Sequence, residues 1–241
     1  MIELRGLSKT FGGVRAVHDV TMRLAPGEVR GLIGPNGAGK STLINLISGL
    51  LRHSAGSLSL DGAPIDHLGA QARARLGIAR TFQNLRVFPS LTVQQNIDVA
   101  GYAGAASGRA GMELLRDAIA RFDLADRLND PAASLSYGQL RRLEILRALA
   151  LCPRVLMLDE PAAGMNEKET EALGEALGWV RSQSDCAILV IDHDLKFIMA
   201  LSERITVLNM GEVIAEGTPR EVSENRQVID AYLGEDHESA A

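Results

Sequence analysis

Val17, Val20, Met22 and Leu24 fall on alternate positions, the period of a half-buried strand, and Pro26-Gly27 then breaks the pattern with a turn. Met1 to Thr10 carries the same alternation, with charges at Glu3, Arg5 and Lys9, so an antiparallel β layer is expected at this end. Val29 to Ile33 is a short apolar run ending in glycine, suited to a buried strand. From Lys40 the period lengthens. Leu43, Ile44, Leu46, Ile47 and Leu50 recur at helical spacing, and the helix is expected to close near Gly49.

After the Asp61-Gly62 turn and a short strand from Gly77 to Thr81, Thr92 and Gln95 form a capping pair that opens a helix through Ala100. Gly101 to Gly111 reads as a glycine- and alanine-rich loop, and Met112 to Phe122 and Gln139 to Leu151 as further helices. Residues 86–152 are therefore expected to form a helical subdomain.

The last third alternates. Strand Val155 to Leu158 leads to helix Glu167 to Ser182, with Asn166 and Glu169 as its capping pair; strand Ala187 to Ile191 leads to helix Leu195 to Ser202. That order predicts a parallel sheet flanked by helices, hence an α/β fold. Arg204 to Asn209 and Val213 to Gly217 read as a hairpin around Met210-Gly211. A helix over Glu221 to Leu233 is expected in a C-terminal tail spanning 219–241.

With 241 residues, 46% of them hydrophobic, the chain suits one sizeable core rather than two independent domains. A net charge of -5 argues against the basic surface that nucleic acid would require. Cys152 and Cys186 lie in apolar stretches without metal-ligand spacing, which fits reduced thiols in a cytoplasmic protein. The N-terminus lacks the apolar core of a signal peptide. No window approaches the roughly 20 apolar residues of a spanning helix, so a membrane role requires a partner.

Candidate chemistry enters at Gly34-Pro35-Asn36-Gly37-Ala38-Gly39-Lys40-Ser41-Thr42, a P-loop pattern placed between an expected strand and an expected helix. Glycines let backbone N–H groups wrap a polyphosphate, and the helix N-terminus favours its charge. Lys40 can reach the β- and γ-phosphates and Ser41 can bind magnesium. An incidental glycine-rich turn would not require this strand-to-helix setting. Val155 to Leu158 then delivers Asp159 and Glu160 at the end of a buried strand, Asp159 suited to the magnesium shell and Glu160 to the attacking water. An apolar run ending in an acid is weak alone; with the P-loop it specifies a nucleotide hydrolase binding ATP and Mg2+. Leu135-Ser136-Tyr137-Gly138-Gln139 opens another helix, so Ser136 and the N–H groups near Gly138 form a second anion site, unless Ser136 is only an N-cap.

In this order, the P-loop, Gln83, Leu135 to Gln139, Asp159-Glu160 and His193 resemble the ABC ATPases over nearly the whole chain, with Ser136, Gly138 and Gln139 in the family's signature string. The resemblance implies a head-to-tail dimer, each ATP held between one P-loop and the other chain's signature. It further implies that Phe11 stacks on adenine, that Val17 packs near the nucleoside, and that Gln83 joins the magnesium site and the contact with membrane subunits. His193 would contact the γ-phosphate and help position Glu160 and water. From the residues alone, Phe11 and Val17 read as core, Gln83 as a polar loop residue and His193 as structural; the family order reverses that preference.

Tyr137 replaces the first signature glycine and Asn166 the usual aspartate of the loop after Glu160. These departures, with Leu140 to Ile145 and the tail Ala231 to Asp236, look like the ATPases of branched-chain amino-acid importers. Such systems pair two related ATPases with two transmembrane permeases and a periplasmic substrate-binding protein, which implies a peripheral place on the cytoplasmic face of the inner membrane. An ATPase of lipopolysaccharide export shares a similar tail. ABC proteins of DNA repair or translation usually carry coiled-coil insertions or tandem cassettes, and neither is present here. A small-molecule kinase would leave the Ser136 string unexplained.

Overall fold

The computed structural model describes residues 1–103 and 109–238. In chain order the elements are β1 (Ile2–Phe11), β2 (Val14–Leu24), β3 (Val29–Ile33), α1 (Lys40–Ile47), β4 (Ala55–Leu60), β5 (Ala63–Pro64), α2 (Ala70–Arg75) and β6 (Ile78–Arg80). There follow α3 (Val93–Ala103), α4 (Arg109–Arg121), α5 (Tyr137–Leu149), β7 (Val155–Asp159), α6 (Glu167–Gln183) and β8 (Ala187–Ile191). The chain continues through α7 (Leu195–Leu201), β9 (Arg204–Asn209), β10 (Glu212–Gly217), α8 (Pro219–Ser223) and α9 (Arg226–Glu238).

A six-stranded sheet in the order β10-β9-β3-β8-β7-β6 is parallel except at β10, which closes a hairpin on β9. A four-stranded antiparallel sheet, β2-β1-β4-β5, lies at the N-terminal end. Alternation along the central strands assigns each residue to one of two cores. Val29, Ile33, Leu156, Leu158, Ile188 and Val190 pack with the helices α5, α6 and α7. Leu32, Val155, Met157, Ala187, Leu189 and Ile191 face the other way, into a core completed by α1 and the antiparallel sheet. Asp159 continues the 155–157 face, so its carboxylate is directed toward the α1 side by the register of β7 alone.

Helix starts follow the sequence signals. Asn166 and Glu169 make a reciprocal capping box on α6, Thr92 and Gln95 make the same exchange before α3, and Asp194 caps α7. Three stretches depart from expectation. The Gly101–Gly111 loop is shorter at both ends, because α3 runs to Ala103 and α4 begins at Arg109; residues 104–108 lie outside the described ones. The expected 221–233 helix is two helices, broken at Asn225, whose side chain accepts from the Gln227 N–H and starts α9. Helix α2 has almost no apolar periodicity; it is held by buried Arg73, which donates to the carbonyls of Leu46 and Ile47 and so also satisfies the end of α1.

Candidate functional site

The loop from Gly34 to Gly39 leaves β3 and enters α1, and its backbone is fixed by close neighbours on two sides. A Cβ at Gly34 would lie 2.0 Å from the Leu208 carbonyl oxygen, and one at Gly39 would lie 2.3 Å from that of Ala16. Both glycines also have positive φ, so the sequence has no alternative residue at either position. The Ala38 carbonyl accepts from Gly211 N–H, tying the loop to the β9–β10 turn. Pro35, Ala38 and Lys40 are buried, while Asn36, Gly37 and Ser41 are exposed and Thr42 is half-buried. Gly39 begins α1 in the left-handed conformation with no side-chain cap, so the first N–H groups of α1 point into a loop built from backbone. Lys40 Nζ donates back to the carbonyls of Gly34 at 2.5 Å and Pro35 at 2.9 Å, bonds that phosphate oxygens can replace.

Asp159 and Glu160 are separated by a change of backbone direction. Asp159 is buried and Arg80 Nη2 donates to its Oδ2 at 3.1 Å. The same guanidinium donates to Asn45 Oδ1 of α1 at 2.6 Å, so Arg80 joins the end of β7 to the P-loop helix. Burial raises the Asp159 carboxyl above the usual carboxylate range, and the positive charge of Arg80 only partly offsets this. Glu160 follows with φ 52, a left-handed position that swings its side chain off the strand. Gln83 Nε2 donates to Glu160 Oε2 at 3.2 Å, and His193 Nε2 stands 2.8 Å from Oε1. An ionised Glu160 requires Nε2 to carry the proton. Asp192, buried and likewise raised by burial, accepts from Ala162 N–H at 2.9 Å and Asp194 N–H at 3.0 Å, which fixes the segments on either side of Glu160 and His193.

Gln83, Glu160 and His193, far apart in sequence, thus meet at one carboxylate. Phe11 ends β1 and is 45% exposed; Lys9 Nζ stands over one face of its ring, 4.9 Å from the centroid, so a planar group stacking there would use the other face or displace the ammonium. Val17 is 0% exposed inside the antiparallel-sheet core, in keeping with the core reading of that residue; it has no surface to offer a nucleoside in this conformation. Ser136, exposed, N-caps α5 in a capping box with Gln139, and Gly138 is buried against Glu169 of α6. Sequence reasoning missed Arg80, Asp192 and the buried Arg141. Each is a charged residue next to a recognised motif, the one signal that could have drawn attention to it.

Hard oxygen donors suit magnesium, which takes one or two protein ligands plus phosphate oxygens and water. The Ser41 hydroxyl and the buried Asp159 carboxylate, whose Oδ2 accepts from Arg80 at 3.1 Å, supply oxygen donors of that kind. Among the described residues no helix is long and apolar enough to cross a membrane.

A parallel sheet with a glycine loop at a central strand end, a helix start behind it and an Asp-Glu pair two strands away defines a P-loop nucleotide hydrolase. The family model described as ABC transporter matches residues 17–163, and that of the branched-chain amino acid ATP-binding cassette transporter matches 212–238. The chain belongs to the ABC transporter family, as its ATP-hydrolysing cassette. It is 42% identical to the high-affinity branched-chain amino acid transport ATP-binding protein LivG of Escherichia coli K12, covering 98% of each chain. It is 40% identical, with the same coverage, to the corresponding protein BraF of Pseudomonas aeruginosa. To the lipopolysaccharide export system ATP-binding protein LptB of E. coli K12 it is 34% identical over 96% of each. Among solved structures, the ADP conformation of MJ1267, an ATP-binding cassette of an ABC transporter, superposes with TM-score 0.85 at 26% identity, covering 97% of this chain and 98% of that one. The dimeric post-hydrolysis cassette MJ0796, bound to ADP and Pi, gives TM-score 0.77 at 27% identity, with coverages of 91% and 99%.

Proposed function

We propose that the chain binds ATP with magnesium and hydrolyses it as one of two cassettes on the cytoplasmic face of the inner membrane, driving permeases that import branched-chain or related hydrophobic amino acids. The observation that carries the hydrolytic part is the Glu160 carboxylate held between Gln83 and His193. The near full-length identity to LivG and BraF, together with the match over 212–238, supports the amino-acid substrate.

In this reading Gly34 to Gly39 and the start of α1 bind the β-phosphate, and Lys40 exchanges its two carbonyl bonds for β- and γ-phosphate oxygens. Ser41, Asp159 and Gln83 would hold magnesium, which when bound neutralises phosphate charge. Glu160 orients the attacking water and accepts its proton; His193 holds Glu160 in place and reaches the γ-phosphate. Phe11 stacks on the adenine. Ser136, Gly138 and Gln139 of a second ATPase subunit, identical or related, close over the γ-phosphate, and hydrolysis reopens the pair. Closure reaches the permeases through the surface from Gln83 to Ile97, and a periplasmic substrate-binding protein acts through them.

Glu160→Gln keeps the shape and loses the base, so it is expected to retain ATP binding and lose at least about 100-fold in turnover; near-normal turnover would remove Glu160 from its role. For the partners, the tagged chain would be purified from native membranes in mild detergent and its companions identified by mass spectrometry. Two multi-span permeases and a second similar ATPase are expected. Lipopolysaccharide-export components would reassign the cargo, and the absence of any membrane protein would overturn the transport reading.

A further inference from the structure

Arg141, near the start of α5, is 1% exposed, yet it is charged and touches several parts of the site. Its Nη1 donates to the Phe82 carbonyl at 2.7 Å and to Glu144 Oε2 at 3.0 Å. Its Nη2 donates to the Gln83 carbonyl at 2.9 Å and to the Tyr137 hydroxyl at 3.1 Å. One turn further along α5, Glu144 Oε1 accepts from the N–H of Phe82 at 3.3 Å and of Arg86 at 3.4 Å. Another turn along, Arg147 donates to the Arg86 carbonyl and its guanidinium lies 4.8 Å from the Phe88 ring centroid. The segment carrying Gln83 is therefore held along one face of the helix whose N-cap is Ser136.

The other side of Tyr137 meets the loop after Glu160. A Cβ on Gly164 would lie 2.9 Å from Tyr137 Cε1, and one on Gly138 would lie 2.9 Å from Glu169 Oε1, a group that caps α6 together with Asn166. Arg141 thus bonds the Gln83 segment directly and reaches the Gly164 loop through a tyrosine ring.

We infer that Arg141 is a positioning residue that fixes the Gln83 segment, the Ser136 turn and the Gly164 loop relative to one another, so that they move as one body. The inference rests on the roles proposed above for Gln83 and Ser136. Its physical basis is the geometry of the guanidinium. A planar fork can serve two carbonyls, a carboxylate and a phenol at once, whereas a lysine presents one point charge. Sliding the Gln83 segment along α5 would cost the buried guanidinium the Phe82 and Gln83 carbonyls, two of its four acceptors, while Glu144 and Tyr137 stay with it on α5, and leaving its N–H groups unpaired is unfavourable.

The test uses the full chain with spin labels at two exposed positions, Asn84→Cys and Lys168→Cys, after replacement of Cys152 and Cys186. Arg141→Lys is expected to broaden the label distance distribution and lower turnover roughly 10- to 100-fold, while ATP affinity at the P-loop stays within about twofold. Tyr137→Phe keeps the ring on Gly164 and removes one bond, so turnover should fall about 2- to 5-fold with a melting temperature lowered by only about 2–4 °C and a smaller broadening. If Arg141→Lys does not fold, Tyr137→Phe decides by the same readouts. A distance distribution as narrow as in the parent protein in each variant that folds would overturn the inference. Broadening in Arg141→Lys combined with full turnover in Glu160→Gln would instead overturn the underlying reading of the site.

Discussion

The starts of α1 and α5 both face a proposed phosphate position, and they are built in opposite ways. Gly39 enters α1 at φ 103 with no side-chain cap. Ser136 enters α5 from an extended conformation; its hydroxyl accepts from Gln139 N–H at 3.3 Å, and its own N–H donates to Gln139 Oε1 at 3.0 Å. The α1 end is clamped by backbone on both sides and completed by a buried lysine, whereas Ser136 and Tyr137 are exposed. A helix whose first donors lack an acceptor side chain is designed around an anion held by its own chain. One that satisfies its own end is stable alone and offers its donors only by exchange, which suits a surface presented to another subunit's nucleotide.

Substitutions at the two ends should separate these roles. The largest effect is expected for Lys40→Met, which removes the only side-chain cation of the P-loop string: turnover should disappear and ATP affinity weaken by at least about 100-fold in a fluorescent-nucleotide titration. Retained affinity would break the contrast at once. Gly39→Ala follows. Its Cβ would lie 2.3 Å from the Ala16 carbonyl oxygen at a φ that alanine avoids. A loss of about 2–4 kcal/mol in urea unfolding, with nucleotide binding lost as well, is expected. Ser136→Ala should be mildest in stability, about 1 kcal/mol from the lost cap. In the isolated chain it should leave ATP affinity within about twofold, yet lower turnover; an affinity loss as large as that of Lys40→Met would make the two ends equivalent.

The same contrast governs what could be read from the sequence. The P-loop, the Asp159-Glu160 pair and the Asn166–Glu169 capping box are local arrangements in which residue type and spacing state the geometry directly. Period-2 alternation likewise separates the two cores of the central sheet. Arg73, Arg80 and Arg141 are different: all three satisfy partners distant in sequence, and in a hydropathy pattern a buried or half-buried guanidinium looks like a surface residue. The short α2 was hidden for this reason, since its stability comes from Arg73 reaching α1 rather than from an apolar stripe. The break at Asn225 was missed because the residues on either side keep helical character and only the Asn225 side chain interrupts them.

The central claim is that each nucleotide is completed by two chains. The most direct test mixes purified Lys40→Met with purified Ser136→Glu, the second placing a negative charge where a γ-phosphate would approach. Each is inactive alone on this account. A mixed pair has one site with both lesions and one with neither, so phosphate release should reappear on mixing. Where the parent chain alone hydrolyses ATP, a mixture as inactive as its two components would contradict a site shared between chains.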